Sequence, residues 1–152
     1  MSDIVYLDIC CFKRPFDDAT EQRVRREAEA VATILDHGNR GTVRLVRSPA
    51  HDFENERNPR EDRRLATSLW LETAALRTSA SGKAAQRARE LAALGFRALD
   101  ALHLAFAEQS AARWFVTTDD RLLKRARIHR ERLSVHVLGP DQLPLPAEGD
   151  EE

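Results

Sequence analysis

A chain of 152 residues can bury one hydrophobic core without disulfides or structural metal, and is too short for two domains of ordinary size. Lys and Arg (24) nearly balance Asp and Glu (25), which excludes the global basic field of many nucleic-acid binders, so any such contact must be local. The only cysteines, Cys10 and Cys11, are adjacent; with Cα atoms about 3.8 Å apart they sit below disulfide range, and no second soft pair exists for zinc, so they read as small buried hydrophobes in a reducing compartment. Without a secretory leader, a bilayer-spanning apolar run or a lipidation motif, a cytoplasmic protein with no membrane partner is expected.

In chain order, Ile4, Val5, Tyr6 and Leu7 suit a strand buried on both faces, and it stops at Asp8. "RPFDD" reads as a turn, with Asp18 and Glu21 as a capping box for a helix carrying Val24, Ala28, Val31 and Leu35 and ending at Gly38 and Gly41. "TVRLVRS" is a second strand, stopped by Ser48 and Pro49. Pro59 then divides a short helix over 50–57 from a longer one over 60–76 that carries Leu65, Leu69 and Leu76. A helix over 82–94 closes at Gly95, and 98–112, apolar almost all round, predicts a helix buried on several sides. "RWFVTT" is a third strand running into Asp119 and Asp120, "RLLKRARI" a helix and "LSVHVLG" the fourth and last strand. From Pro140 the chain turns Pro-rich and acidic, which predicts a loose tail over 140–152 beyond a domain of 1–139. Strands separated by helices predict an α/β fold with a central parallel sheet in a three-layer α/β/α sandwich, because parallel neighbours need crossover connections.

Four carboxylates stand beside apolar elements rather than on charged faces. Asp8 closes the first strand, Glu54 follows the second in "SPAHDFENER", Asp100 interrupts the buried helix in "RALDALHLAFAE", and Asp119 closes the third strand. Each has an ordinary structural use: a solvated helix residue for Glu54, a helix N-terminus for Asp100, an N-cap for Asp119. Together they are more informative, because a parallel sheet gathers its strand ends along one edge, where ligands bind. Two carboxylates about 5 Å apart at an effective dielectric of about 20 repel by roughly 3 kcal/mol, so four together need protons or a cation. Oxygen ligands suit Mg²⁺ or Mn²⁺, and phosphodiester hydrolysis is the natural chemistry of such a site.

These segments, in this order, resemble the PIN-domain ribonucleases, including the toxins of bacterial type II toxin-antitoxin pairs, over nearly the whole chain. "VYLDICC" is similar to the family's first strand and first Asp, "VRSPAHDFE" to the segment bearing the Glu, "ALDALHLAFAE" to the third acidic site, and "ARWFVTTDDRLL" to the strand, threonines and fourth acid. The resemblance implies a PIN-like domain and a metal-dependent endoribonuclease in which Asp8, Glu54, Asp100 and Asp119 are catalytic and bind Mg²⁺ or Mn²⁺. It further implies supporting roles for Thr117, Thr118 and Asp120, RNA as substrate, a cognate antitoxin over the acidic cleft, and a homodimer. The family usually places Asn, Ser or Thr two residues after the first Asp; here Cys10 stands, a poorer hydrogen-bonding group. That departure opens the alternative of a catalytically weak module of the same fold that binds metal, RNA or protein. A phosphatase of the haloacid-dehalogenase kind would need D-x-D where "LDICC" offers D-x-C, and a receiver domain would need a lysine near the last strand.

Among secondary candidates, Arg14 and Lys13 follow Asp8, and Arg57, Arg60, Arg63 and Arg64 crowd the segment after Glu54, where guanidinium groups could grip phosphates; interleaved acids favour a self-paired face for the second group. His103, one turn after Asp100, reads as a core histidine, and Trp70 and Trp114 as core or interface residues.

Overall fold

In a computed structural model, described for residues 2–146, the first strand β1 (Asp3–Leu7) leads directly into a one-turn helix α1 (Ile9–Lys13) and a 3₁₀ turn (Arg14–Phe16). There follow α2 (Gln22–Arg40), β2 (Val43–Arg47), α3 (Pro49–Glu56), α4 (Glu61–Glu72) and β3 (Leu76–Arg77). The second half contains α5 (Gly82–Ala93), α6 (Ala98–Gln109), β4 (Trp114–Val116), α7 (Asp120–Ile128) and β5 (His136–Leu138). All strand pairs are parallel, in the order β3-β2-β1-β4-β5, so the fold is a three-layer α/β/α sandwich around a five-stranded sheet. No helix among the described residues is long and apolar enough to cross a membrane.

Side chains alternate across the sheet with period two and divide the core. Tyr6, Val46 and Phe115 face a cluster filled by α5, α6 and α7, through residues such as Leu91, Leu104 and Leu122. Val5, Leu7, Val43, Leu45 and Val116 face the other cluster, filled from α1, α2 and α4 by Ile9, Val31, Ile34 and Leu71. α2 crosses β2 closely: a Cβ on Gly38 would lie 2.8 Å from Leu45 Cδ1, so this glycine stays inside the helix and permits the contact, while Gly41 ends it.

Strand order decides where a site can form. The chain builds outward from β1 to β2 and β3, then returns to place β4 on the other side of β1. β1 and β4 are paired as Val5 with Trp114, Tyr6 with Phe115 and Leu7 with Val116, so their carboxyl ends lie together where the winding reverses. Connections leave in opposite directions at such a switch point, which opens a crevice.

Several sequence expectations are corrected. The sheet has five strands rather than four: β3 is a two-residue edge strand paired to Val46 and Arg47, too short to show alternation. Leu76 therefore belongs to a strand, and α4 stops at Glu72. Leu65 and Leu69 are 56 % and 64 % exposed, since α4 turns Thr67 and Leu71 inward instead. The Asp18–Glu21 capping box does not form; Asp18 accepts from the Thr20 N–H and hydroxyl, and Glu21 occupies the N-cap. β4 ends at Val116, leaving Thr117 and Thr118 in the loop. The segment after Gly139 is packed as far as it is described: Pro140 and Leu143 are buried, Pro140–Gln142 forms a 3₁₀ turn, and Asp141 pairs with Arg26 of α2. The remainder of the expected tail, 147–152, lies outside the described residues.

Candidate metal centre at the switch point

Asp8 is the first residue past β1 and caps α1. It is 5 % exposed, with Oδ1 accepting from the Ile9 N–H at 2.8 Å and Oδ2 from the Thr117 hydroxyl at 2.7 Å. Thr117 Oγ1 also accepts from the Asp119 N–H at 3.1 Å, so one hydroxyl couples the ends of β1 and β4. The Cys10 thiol lies 3.4 Å from both Asp8 Oδ2 and Thr117 Oγ1 and accepts from the Thr118 N–H at 3.4 Å. The Cys10 S–H is thus a weak donor to the Asp8 carboxylate.

Asp119 caps α7, one oxygen accepting from the N–H groups of Arg121 and Leu122, as its position before the helix predicts. Asp100 lies in the first turn of α6, its carboxylate without a hydrogen-bond partner among the described residues. Burial, together with the charges of Asp8 and Asp119, pushes its pKa from 3.8 up to about 6. Asp100 therefore feels the charge of two of the other three sequence-predicted acids.

Glu54 joins them through a residue that sequence reasoning set aside. Its Oε1 lies 3.0 Å from His103 Nε2, and Asp8, Glu54 and His103 each place one ligand-type atom within 4.8 Å of the others. His103 is fully buried, with Nδ1 2.6 Å from the Tyr6 hydroxyl, which lies 2.6 Å from Ser48 Oγ. A proton on Nε2, donated to Glu54, leaves Nδ1 to accept from Tyr6, and Tyr6 to accept from Ser48. Beneath this chain, His51 Nδ1 accepts the Ser48 N–H at 3.1 Å, while Nε2–H donates to the Leu7 carbonyl at 2.6 Å. Burial, then the neighbouring His103, lowers the His51 pKa to about 3, so it is neutral near pH 7. The spacing of His103 from Asp100 put both on one helical face; the face was legible, but its partner is Glu54, and the Tyr6 and Ser48 links span 97 and 42 residues of sequence.

Other candidates are engaged by neighbouring side chains. Asp120 is exposed and takes both terminal nitrogens of Arg23, at 2.6 and 2.8 Å, which holds its carboxyl below the usual range. Thr118 gives its carbonyl to the same guanidinium at 3.3 Å. Arg14 is engaged by Asp17 and the buried Glu27, and Arg57 lies over the Phe53 ring at 4.3 Å. Trp70 stacks on Phe12 within the core. A cavity of about 430 Å³ between α7 and β5, edged by Arg127, Arg130 and His136, contains none of the acids.

Among the described residues the group whose ligand atoms come close enough to share one ion is Asp8, Glu54 and His103, two carboxylates and an imidazole. Asp100 has both oxygens free among the described residues, and Asp119 and Glu54 each keep one oxygen without a hydrogen bond. Comparison with known protein families finds no family model that matches this chain, and comparison with curated proteins finds no match.

Proposed function

We propose that this chain is a PIN-like, metal-dependent endoribonuclease that hydrolyses RNA phosphodiester bonds with Mg²⁺ or Mn²⁺ held by Asp8, Glu54, Asp100 and Asp119. The observation that carries this reading is the convergence of acids at the sheet's switch point, where Asp8 and Asp119 burden a half-buried Asp100 with like charge. Structural carboxylates are normally given a cation or hydrogen-bond donors; Asp100 has neither a donor nor an ion pair among the described residues. Such a cluster is stabilised when a cation enters it.

The bound metal would activate water for attack on phosphorus and offset charge on the leaving oxygen. This chain's own residues orient the ligands: Thr117 and the Ile9 N–H fix Asp8, the α7 N-terminus fixes Asp119, and His103 holds Glu54. The same reading carries a cytoplasmic location, a cognate antitoxin seated over the acids, and a homodimer, for which Phe53, Leu65 and Leu69 offer exposed apolar surface.

The test is cleavage of a mixed pool of folded RNAs with Mn²⁺, Mg²⁺ or EDTA, beside Asp100→Asn purified in parallel. Metal-dependent cleavage that falls to the EDTA level in the variant is the expected result. Equal inertness of both proteins in every metal would remove the catalytic reading and favour a binding module of the same fold.

A further inference from the structure

Next to Asp100, the loop between α5 and α6 and the first turns of α7 line a small open cavity edged by Gly95, Arg97, Arg121 and Arg125. Asp100 forms part of its wall, so the cavity opens beside the acidic cluster. Its volume of about 50 Å³ suits a few waters or one tetrahedral anion, but not a nucleoside.

Its three cations are among the exposed arginines left without a carboxylate, and what sets them apart is that they share one cavity beside Asp100. Arg14, Arg23, Arg26, Arg47, Arg87 and Arg113 all form ion pairs with carboxylates. Arg97, Arg121 and Arg125 have no side-chain hydrogen bond or ion pair among the described residues. Arg121 and Arg125 are four apart on α7, an arrangement of like charges that disfavours a helix unless something anionic meets them. Gly95, in the same wall, has φ +102°, a left-handed conformation that favours glycine, and the Arg125 guanidinium lies against it. Between Arg121 and Arg132 the sequence holds six Lys or Arg and one Glu, in a chain of net charge −1. This is the local basic strip that an overall balance of charge conceals.

We propose that Arg97, Arg121 and Arg125 form a subsite for a backbone phosphate of the RNA, flanking the phosphate attacked at the acids; this rests on the ribonuclease reading. Guanidinium forks match phosphate oxygens in two-point contact, and a cationic pocket beside an acidic cleft draws a polyanion across a site that would otherwise repel it. The subsite reads no base, so it positions the strand and contributes no sequence preference.

Binding of a short, mixed-sequence, fluorescein-labelled single-stranded RNA is measured by anisotropy in EDTA, where nothing is cut, across a salt series. Arg121→Gln/Arg125→Gln is compared with Lys83→Gln/Arg89→Gln, which removes the same charge from exposed positions on α5. Arg97 is left in place because its charge acts on Asp100. The expected result is a Kd raised roughly tenfold and a salt slope shallower by about 0.7 for the α7 variant alone, one phosphate contact on a single strand. Unchanged melting curves for both variants would exclude a folding defect. If the two variants bind alike while wild type still cuts RNA and Asp100→Asn does not, the subsite is overturned and the nuclease reading stands. If wild type neither binds nor cuts RNA, both are overturned.

Discussion

Tyr6 shows how one residue serves two layers of this protein. Its ring stacks on Phe115 and His51 in the sheet core, with centroids 5.2 and 4.5 Å apart, while its hydroxyl joins Ser48 to His103. Replacing it by Phe keeps the ring but leaves His103 Nδ1, fully buried, without its donor. An unsatisfied buried polar group costs about 1–3 kcal/mol, so Tyr6→Phe is expected to lower the unfolding free energy by that amount, read as a lower urea midpoint at an unchanged denaturant slope. A loss under about 0.5 kcal/mol would mean that the chain from Ser48 to Glu54 is not a stabilising unit. Tyr6 was legible in sequence as a strand residue; its hydroxyl partners were not, because hydrogen bonds between distant segments leave no local periodicity.

At the scale of elements, α4 and the segment after β5 reverse their expected roles. Leu65 and Leu69 repeat at helical spacing, yet face outward, because which stripe of a helix is buried depends on the neighbour it meets. Leu143, in a Pro-rich stretch that reads as tail, is 8 % exposed and packs in the cluster beneath α1 and α2. Leu143→Ala is expected to cost about 2 kcal/mol, and Leu69→Ala less than about 0.5 kcal/mol, both measured by urea unfolding. The reverse ranking would show that the terminal segment does not hold α2 in place. The strands that position Asp8 and Asp119 were legible because both combine an apolar run with an abrupt charge; β3 has only two residues and no such contrast.

Over the whole molecule, two buried titrations oppose each other. His51 has a folded pKa of about 3 against 6.5 unfolded, so the unfolded chain binds more protons between those values and stability from this residue is lost as pH falls. Asp100, raised to about 6 from 3.8, acts the other way: its folded state binds more protons, and its contribution is lost as pH rises through 6. Because Asp100 is only partly buried, its effect is discounted to on the order of 1 kcal/mol. In EDTA, Asp100→Asn is therefore expected to unfold at higher temperature than wild type at pH 7–8, with the advantage vanishing below about pH 4. Saturating Mn²⁺ should invert the order, since a ligand of the native state stabilises the protein that binds it more tightly. A variant less stable than wild type in EDTA at pH 7–8 would show that Asp100 carries no unfavourable charge there.

The sequence by itself determined the layered α/β fold, and it marked Asp8, Glu54, Asp100 and Asp119 as acids set beside apolar elements. Both follow from local physics: the period of apolar residues and the cost of placing charge beside them. Only the tertiary structure decided that β4 returns to the far side of β1, that His103 is held between Tyr6 and Glu54, and that Arg121 and Arg125 meet Arg97 beside Asp100. Those are pairings between distant segments, set by strand order and helix rotation, and no local pattern in the chain specifies them.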